Sequence, residues 1–173
     1  MKEIKYQGNY LTLSEEVINN HVYERVSLRP GVHVMPVKNE KILLMHEYRP
    51  HEKKSRWKLV SGWVDKEHMS PLDHAKEELA EEVGMQAKNW SELYNTHFPN
   101  ATINGNTYYF LCSEVSELEI KIENPDIGAE VHGYDWFDLD TIFHYLNEGK
   151  IWPDDSTLAM IWYLTNQKNK KQK

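Results

Sequence analysis

The sequence predicts an α+β fold in which helices lie between and after the strands of a mixed β-sheet. Short apolar runs rich in β-branched residues alternate with segments of helical periodicity, and turn-forming residues separate them. The 173 residues fit a single domain with an adequate core, and the sequence has no internal repeat and no long linker.

The first part of the chain is predicted to be mostly β-structure. Residues 9–26 indicate two short strands around Asn19-Asn20, a pair that favours turns. The apolar segments 32–37 and 42–48 flank a short polar link, which predicts a hairpin. Further strands are expected at residues 56–61, 92–98, 106–114 and 134–137.

A helix over residues 70–83 has a clear start and a clear end. Ser70 and Asp73 form an S-x-x-D capping pattern, and Pro71 takes the first helical position, where its missing N–H group costs nothing. Gly84 fits the position just past the end, where a left-handed backbone is favoured. The buried stripe of this helix is predicted to be Leu72, Ala75, Leu79 and Val83.

Two more helices are expected near the C-terminus. Asp140 is predicted to cap a helix that ends at Gly149, and Asp155 or Ser156 to cap a final helix that continues through Leu164. Apolar and aromatic residues recur at helical spacing in this region, which is typical of core contacts. The residues expected in the core are Phe143, Leu146, Leu158, Ile161, Trp162 and Leu164.

Composition argues against several classes of protein. The net charge of −7 disfavours a duplex nucleic-acid binder, because neutralising phosphates requires a basic surface. The basic tail, residues 166–173, is interpreted as disordered, with a nucleic-acid arm as the weaker alternative. No apolar run approaches the roughly 18–20 residues of a membrane span, and the N-terminal residues lack the apolar core of a signal peptide. The single cysteine, Cys112, excludes an internal disulfide and is expected in the core, so we expect a cytoplasmic protein.

The predicted helix 70–83 carries a concentration of negative charge. Glu78, Glu81 and Glu82 stand at i, i+3 and i+4, so they share one helical face and repel one another by roughly 0.2–0.5 kcal/mol per pair. Two of them also fall in the last turn, where the helix dipole disfavours negative charge. Clustered carboxylate oxygens suit Mg²⁺, Mn²⁺ or Ca²⁺. On the helix alone, a solvated acidic surface is the commoner interpretation and a metal site is the alternative.

The segment at residues 62–85, GWVDKEHMSPLDHAKEELAEEVGM, resembles the Nudix box, G-x5-E-x7-R-E-U-x-E-E-x-G-U, in which U is aliphatic. Gly62 and the strand-loop-helix context match its first half, with one extra residue in the loop. The matching positions of its second half are Glu78, Leu79, Glu81, Glu82, Gly84 and Met85.

The resemblance extends from about Gly8 to Leu164 and is to the ADP-ribose pyrophosphatase branch of the family. ILLMHEYRP is similar to the strand that ends in Gln-Tyr-Arg in that branch, and RWKLVSG takes the place of its W-E-x-P-A-G. Pro99 stands where the branch has a proline, about fifteen residues past the box glycine. The segment GYDWFDLDTIFHYLNEGKIWPDDSTLAMIWYL is similar to its closing strand and last two helices.

Two positions depart from the box. Glu77 replaces its arginine and Met69 replaces its first glutamate, two side chains that support one another in the family. Losing both together leaves no unpaired partner. Glu67 or His68 would be the substitute across the one-residue insertion, and the branch's P-A-G reads Val60-Ser61-Gly62.

The resemblance implies a Nudix-type α/β/α sandwich with a mixed sheet at residues 31–165, and an N-terminal β segment at residues 1–30 that is expected to form a homodimer. It implies metal-dependent hydrolysis of the diphosphate of a small nucleoside diphosphate-sugar, in particular ADP-ribose to AMP and ribose 5-phosphate. The alternatives are a Nudix hydrolase for another sugar nucleotide or a nucleoside triphosphate, and a nucleotide-binding sensor that does not hydrolyse its ligand.

The same resemblance implies the residues of the site. A bound Mg²⁺ or Mn²⁺ would be held by Ser61, through its backbone carbonyl, and by Glu78, Glu81 and Glu82. Glu78 and Glu82 thereby count as catalytic residues. Glu130 is the nearest match to a loop glutamate that often serves as the base in this branch, and an exposed loop carboxylate is the alternative.

Three further residues are candidate substrate contacts. Arg49 ends a strand beside the box, where it would either pair with a phosphate through its planar fork or form a surface salt bridge. Trp57 would either stack on a base or serve as a half-buried tryptophan of the sheet. Pro99 is expected to shape the substrate loop. The sequence has no H-E-x-x-H, G-x-x-x-x-G-K-[ST] or G-x-S-x-G motif, which disfavours zinc, a P-loop NTPase and an α/β-hydrolase.

Overall fold

The computed structural model describes residues 2–97, 102–119 and 130–152, together with residues 157, 160, 161, 163 and 166, which are helical. The strands of this part are β1 (Lys2–Gln7), β2 (Leu11–Ile18), β3 (His21–Leu28), β4 (Gly31–Lys38), β5 (Lys41–Arg49), β6 (Lys54–Lys58), β7 (Val60–Trp63), β8 (Met85–His97), β9 (Ile103–Asn104), β10 (Asn106–Glu117) and β11 (Glu130–Phe137). The helices with defined bounds are α1 (Pro71–Val83) and α2 (Leu139–Asn147).

The N-terminal strands form a sheet with the order β1-β2-β3-β9. The turn between β2 and β3 consists of Asn19 and Asn20, with φ of 51° and 65°. Two successive left-handed residues are the requirement of a type I′ hairpin, and asparagine tolerates that conformation well. The predicted strand pair is confirmed, and β1 adds a strand that the sequence did not indicate.

The larger sheet has the order β11-β5-β4-β10-β8. It is mixed, because β10 runs parallel to β4 while β8 and β11 run antiparallel to their neighbours. The predicted hairpin of β4 and β5 is confirmed and turns at Asn39 and Glu40. β8 begins already at Met85, well before the strand predicted at residues 92–98.

The single strand predicted at residues 56–61 is wrong, because the chain changes partners there. β6 pairs with β5, whereas β7 pairs with β4. β4 and β5 pair with each other next to their turn, at residues 37–38 and 41–42, and then diverge. At the buried Leu59 the chain crosses from the edge of β5 to the edge of β4. This crossing places Gly62 beside β4.

Each face of the larger sheet has its own apolar core, since alternate residues of a strand point to opposite faces. On β5, Leu43 and Met45 belong to one core, and Ile42 and Leu44 belong to the other. The buried stripe of α1 packs on the first core, and Ile142 of α2 packs on the second. The α+β class and the predicted α/β/α sandwich are confirmed.

The start of α2 differs from the prediction by two residues. The carboxylate of Asp138 accepts a hydrogen bond from the Thr141 N–H at 2.8 Å, so Asp138 is the cap, whereas Asp140 lies in the first turn. No described helix is long and apolar enough to cross a membrane.

The predicted C-terminal core is wrong in part. Phe143 and Ile161 are each 37% exposed, because the neighbouring Ile142 and Met160 turn inward instead. Leu146 packs against the second core as expected. The remaining predictions of this region, on Asp155, Ser156, Leu158, Trp162 and Leu164, lie outside the described residues.

Candidate functional site

The helix α1 is held at both ends by the predicted residues. Ser70 accepts a hydrogen bond from the Asp73 N–H at 3.2 Å and donates one to the Asp73 carboxylate at 2.7 Å. The bond that the Ser70 hydroxyl donates to the carboxylate, followed by one from Lys76, lowers the pKa of Asp73. Gly84 ends the helix with φ of 66°, and its N–H donates to the Ala80 carbonyl at 3.0 Å.

One side of α1 is buried against the larger sheet. Ala75, Leu79 and Val83 are buried as predicted, and Leu72 is half-buried. His74 is also buried, at 1% exposure, which the apolar pattern did not indicate. The packing fixes the rotation of the helix and therefore the direction in which its polar face points.

Gly62 lies directly against the side chain of Glu78. A Cβ atom built on Gly62 would stand 1.7 Å from Glu78 Oε1 and 2.0 Å from its Cδ. With Glu78 in this position no side chain fits between β7 and its carboxylate, so the glycine forms a cradle for Glu78. This contact links the first glycine of the Nudix-like segment to one of its predicted metal ligands.

The predicted carboxylate ligands share the polar face of α1. Glu78, Glu81 and Glu82 are all half-buried. Their oxygen atoms suit a hard divalent cation, and the Gly62 cradle holds the first of them at the edge of β7. Among the described residues, no three His, Cys, Asp or Glu side chains are gathered closely enough to hold a metal ion. The donor chemistry and the cradle fit a divalent ion, while the three carboxylates share a face without forming a closed cluster.

The backbone of Ser61 is oriented by the pairing of β7 with β4. The Val64 N–H donates to the carbonyl of Pro30, the residue opposite it, at 2.8 Å. Pro30 and Val64 are therefore a hydrogen-bonded pair. Hydrogen-bonded and non-hydrogen-bonded pairs alternate along antiparallel strands, so His33 and Ser61 are a non-hydrogen-bonded pair. The carbonyl of Ser61 therefore points away from β4 and is not used in that ladder.

One departure from the Nudix box, Glu77, is paired with a residue of the loop before α1. Glu77, at the position of the box arginine, accepts a hydrogen bond from the Nζ of Lys66. This bond, together with the charges of Glu77 and Glu81, raises the pKa of Lys66. Lys66, rather than Glu67 or His68, is thus the loop residue that contacts Glu77. Lys66 was not among the predicted residues because it corresponds to no charged position of the box.

Arg49 lies at the end of β5 and forms a short ionic network. Its guanidinium contacts the buried Glu47 carboxylate at 3.0 Å, and Lys58 approaches the same carboxylate at 3.3 Å. The Arg49 guanidinium carbon also lies 5.8 Å from the centre of the Trp152 ring. About a third of the Arg49 side chain remains exposed (34%), so it is held in place and still reachable.

Trp57 is packed at the edge of the second core. Its ring stacks on His46 at 4.6 Å between centroids and meets the edge of Phe137 at 4.8 Å. Burial, and then the charge of His132, lower the pKa of His46. These contacts give Trp57 the half-buried place in the sheet that its alternative interpretation describes.

Two predicted site residues, Glu130 and Pro99, are not fully covered by the described part of the structure. The backbone of Glu130 opens β11 opposite Tyr48, at the end of β5 that also carries Arg49, and its side chain is outside the described part. Pro99 lies outside the described residues altogether.

A cleft of about 460 Å³ lies between the N-terminal sheet and the loop before α1. Its walls include Tyr10, Arg29 and Lys66. Tyr10 contacts the half-exposed ring of Trp63 at 5.5 Å, and the Arg29 guanidinium lies 5.8 Å from the Tyr10 ring. Sequence reasoning missed these residues, although Trp63 directly follows Gly62.

A model of the NUDIX domain matches residues 27–159. The chain belongs to the Nudix family. The Nudix match covers β4 to α2 and includes Gly62, the loop and all of α1. It begins near the end of β3, so most of the N-terminal sheet lies before it.

The chain is similar to three known proteins, one in sequence and two in structure. An RNA pyrophosphohydrolase of Bartonella henselae is 35% identical over 106 residues, covering 50% of this chain and 59% of that protein. The chain thus spans less than two thirds of that relative. A solved structure of an ADP compounds hydrolase matches with a TM-score of 0.76 at 18% identity, covering 99% of this chain and 93% of that one. A NUDIX hydrolase from Nitrosomonas europaea matches with a TM-score of 0.64 at 17% identity, covering 80% of this chain and 89% of that one. At these identities the two structures establish a shared fold.

Proposed function

We propose that this Nudix protein hydrolyses the diphosphate of a nucleoside diphosphate-sugar, with ADP-ribose giving AMP and ribose 5-phosphate. The observation that carries the proposal is the placement of Glu78 against Gly62, with two further carboxylates on the same face of α1. The likeness in fold to an ADP compounds hydrolase, over nearly the whole of both chains, supports the choice of nucleotide.

The proposed metal ion is Mg²⁺ or Mn²⁺, held by the carboxylates of Glu78, Glu81 and Glu82 and by the carbonyl of Ser61. When bound, such an ion neutralises phosphate oxygens and acidifies a water molecule. The half-buried position of the carboxylates strengthens their attraction for a cation relative to a fully exposed site. The orientation of the Ser61 carbonyl away from β4 supports its role as an additional ligand.

Glu130 is the proposed base that removes a proton from the attacking water. Its backbone lies opposite Tyr48, one residue before Arg49, so base and phosphate contact would come from neighbouring strand ends. The exposed part of Arg49 would pair with a diphosphate oxygen through its guanidinium fork. Trp57 and Pro99 complete the proposed substrate contacts. Trp57 would act through the shape of the wall, given its packing on His46 and Phe137.

A related candidate is hydrolysis of a triphosphate rather than a sugar-linked diphosphate. The likeness to an RNA pyrophosphohydrolase favours it, since that relative is named for removing pyrophosphate from RNA. The net charge of −7 weighs against extended contact with RNA, so a small nucleoside triphosphate is the preferred form of this candidate. A substrate panel that includes ADP-ribose, other sugar nucleotides and nucleoside triphosphates separates the candidates.

A homodimer formed through the N-terminal segment, residues 1–30, is part of the proposal. One face of the β2-β3 ladder carries the opposed pairs Val17–Val22 and Leu11–Leu28, and all four side chains are exposed, Val22 at 63%. Apolar pairs of this kind on an open face are typical of an interface. We expect light scattering to give twice the chain mass, and Val22→Lys to give the monomer mass. A monomer in the unaltered protein would refute this part.

The metal assignment is tested by Glu82→Gln, which keeps the shape of the side chain and removes its charge. We expect kcat to fall by roughly 10²–10³-fold, because the charge that holds the ion is lost. Glu92→Gln, an exposed carboxylate on β8, is the matched control and should retain activity. Wild-type turnover by the Glu82 variant would refute the assignment.

A further inference from the structure

We propose that Lys66 and Glu77 form a clasp between loop and helix that positions the acidic face of α1 for metal binding. The proposal rests on the proposed function, because it assigns these two residues a role toward the same carboxylates. Lys66 and Glu77 are positioning residues in this scheme, since they act through Glu78 and Glu81.

The loop at residues 64–70 is attached to α1 by both the backbone and the side chain of Lys66. The Nζ of Lys66 donates to Glu77 Oε2, and the carbonyl of Lys66 accepts from His74 Nε2 at 3.3 Å. His74 and Glu77 are three residues apart, so both contacts fall on one helical face. The contact of His74 with the loop backbone is on the buried side of the loop, whereas the contact of Lys66 with Glu77 is on its exposed side.

The clasp is next to the proposed ligands along the helix. Glu78 follows Glu77 directly and lies in the Gly62 cradle, and Glu81 stands one turn beyond Glu77 on the same face. The bond to Glu77, and then the charges of Glu77, Glu81 and Asp65, raise the pKa of Lys66, so its ammonium remains charged at neutral pH. A fixed loop and a fixed Glu77 therefore restrain the turn of α1 from which Glu78 and Glu81 project.

Lys66, the loop residue of the clasp, also forms part of the wall of two clefts. Lys66 lines the cleft beside Tyr10 and a second, open depression formed with His68 and Asp73. Movement of the loop would change both surfaces at once. Lys66 therefore connects the shape of these two surfaces, through its bond to Glu77, to the helix that carries the carboxylates.

Position and charge have opposite consequences for the affinity of a divalent ion. Removing the positive charge of Lys66 beside Glu81 would, by electrostatics alone, strengthen binding of a cation. Removing a contact that positions a ligand weakens binding, by about 10–100-fold in known metal sites. Variants that keep the net charge while breaking the pair separate these two effects.

The test uses the full chain with the double variants Lys66→Gln/Glu77→Gln and Lys66→Glu/Glu77→Lys, and the conservative variant Lys66→Arg. Three quantities are measured: Mn²⁺ affinity by electron paramagnetic resonance without substrate, amide hydrogen exchange at residues 64–70, and kcat and KM for ADP-ribose. The matched control is Lys150→Gln/Glu148→Gln, which removes a pair of similar exposure and 2.7 Å separation beyond α2.

We expect the neutral double variant to bind Mn²⁺ about 10-fold more weakly, to lose a similar factor in kcat with little change in KM, and to exchange faster in the loop. The reversed pair and Lys66→Arg should restore all three quantities to near the wild-type values. Wild-type Mn²⁺ affinity and loop exchange in the neutral variant would overturn the proposal. Tighter Mn²⁺ binding, or a reversed pair no better than the neutral one, would also overturn it.

The outcomes distinguish this proposal from the proposed function. If the wild type binds Mn²⁺ and the variants change affinity and loop exchange as expected, the clasp stands even if ADP-ribose is not hydrolysed. If the wild type hydrolyses ADP-ribose and the neutral variant matches it in every readout, the function stands and the clasp fails. A wild type that binds no Mn²⁺ overturns both.

Discussion

Replacing Gly62 with alanine should remove activity while leaving the fold intact. The added Cβ would stand 1.7 Å from Glu78 Oε1, whereas real Cβ contacts are essentially never closer than 3.0 Å. The carboxylate must therefore retreat by roughly 1.5 Å to regain van der Waals distance. Because it is the far end of a flexible side chain, it can move without disturbing the strand or the helix.

The expected magnitude follows from this displacement. A misplacement of about 1 Å in a catalytic arrangement can lower the rate by roughly 10²-fold, so we expect at least that loss in kcat for Gly62→Ala. Stability should stay level or rise by about 0.4–1 kcal/mol, because alanine restricts the unfolded chain more than glycine does. Activity and stability are thus predicted to change in opposite directions.

The assay compares Gly62→Ala with Gly31→Ala on the paired strand β4. At Gly31 the nearest atom to a new Cβ is the Gly62 carbonyl oxygen at 3.4 Å, an ordinary contact. Steady-state hydrolysis with Mg²⁺ gives kcat, and thermal unfolding gives Tm. Equal kcat in Gly62→Ala and the wild type would refute the cradle, and so would an equal loss of activity in both variants.

Three further predictions concern other parts of the molecule. Trp57→Ala should cost about 3–5 kcal/mol in the free energy of unfolding through lost core contacts, and an unchanged Tm would contradict this packing. The hydrogen bond from the Thr141 backbone lowers the pKa of Asp138, so its stabilisation is complete above the ordinary pKa of 3.8 and is lost as the pH falls through the lowered value. Asp138→Ala should therefore lower Tm at neutral pH and not in strong acid, and a pH-independent difference in Tm would contradict this. Burial raises the pKa of Cys112 to about 12, so thiol reagents should react with it upon unfolding, and rapid reaction of the native protein would contradict its buried position.

Features fixed by local chemistry were predictable from the sequence. The Asn19-Asn20 turn needs two left-handed residues, and asparagine supplies them. The ends of α1 follow from Ser70 and Gly84, whose capping geometry depends on few neighbours. The glutamates on the polar face of α1 follow from the 3.6-residue period, so their common face was predictable as well.

Features set by distant partners were not predictable in this way. The division of residues 56–61 into β6 and β7 depends on where β4 and β5 diverge, which no local pattern encodes. The choice of Asp138 over Asp140 as the cap of α2 depends on how β11 leads into the helix. Both residues are aspartates, which favour a cap, so residue type did not distinguish them.

Candidate site residues could be named from the sequence where the chain follows the box, and not where it departs from it. Gly62 and Glu78 were identified by the resemblance to the Nudix box, and the structure brings them into direct contact although the loop between them has one extra residue. Lys66 was missed because its partner, Glu77, is eleven residues away across an irregular loop. The pairing of a positive loop residue with a negative helix residue is recognisable only in the folded structure.

We propose that the acidic face of α1 supports metal-dependent hydrolysis of a nucleoside diphosphate-sugar. The most direct measurement is product analysis by chromatography and mass spectrometry after incubation with ADP-ribose and Mg²⁺ or Mn²⁺, beside the Glu82→Gln variant. We expect AMP and ribose 5-phosphate in equal amounts, with no products when the metal is chelated and product formation slowed by roughly 10²–10³-fold when Glu82 is replaced by Gln. Binding of ADP-ribose without any metal-dependent products would contradict it, and would identify the protein as a nucleotide-binding member of the family instead.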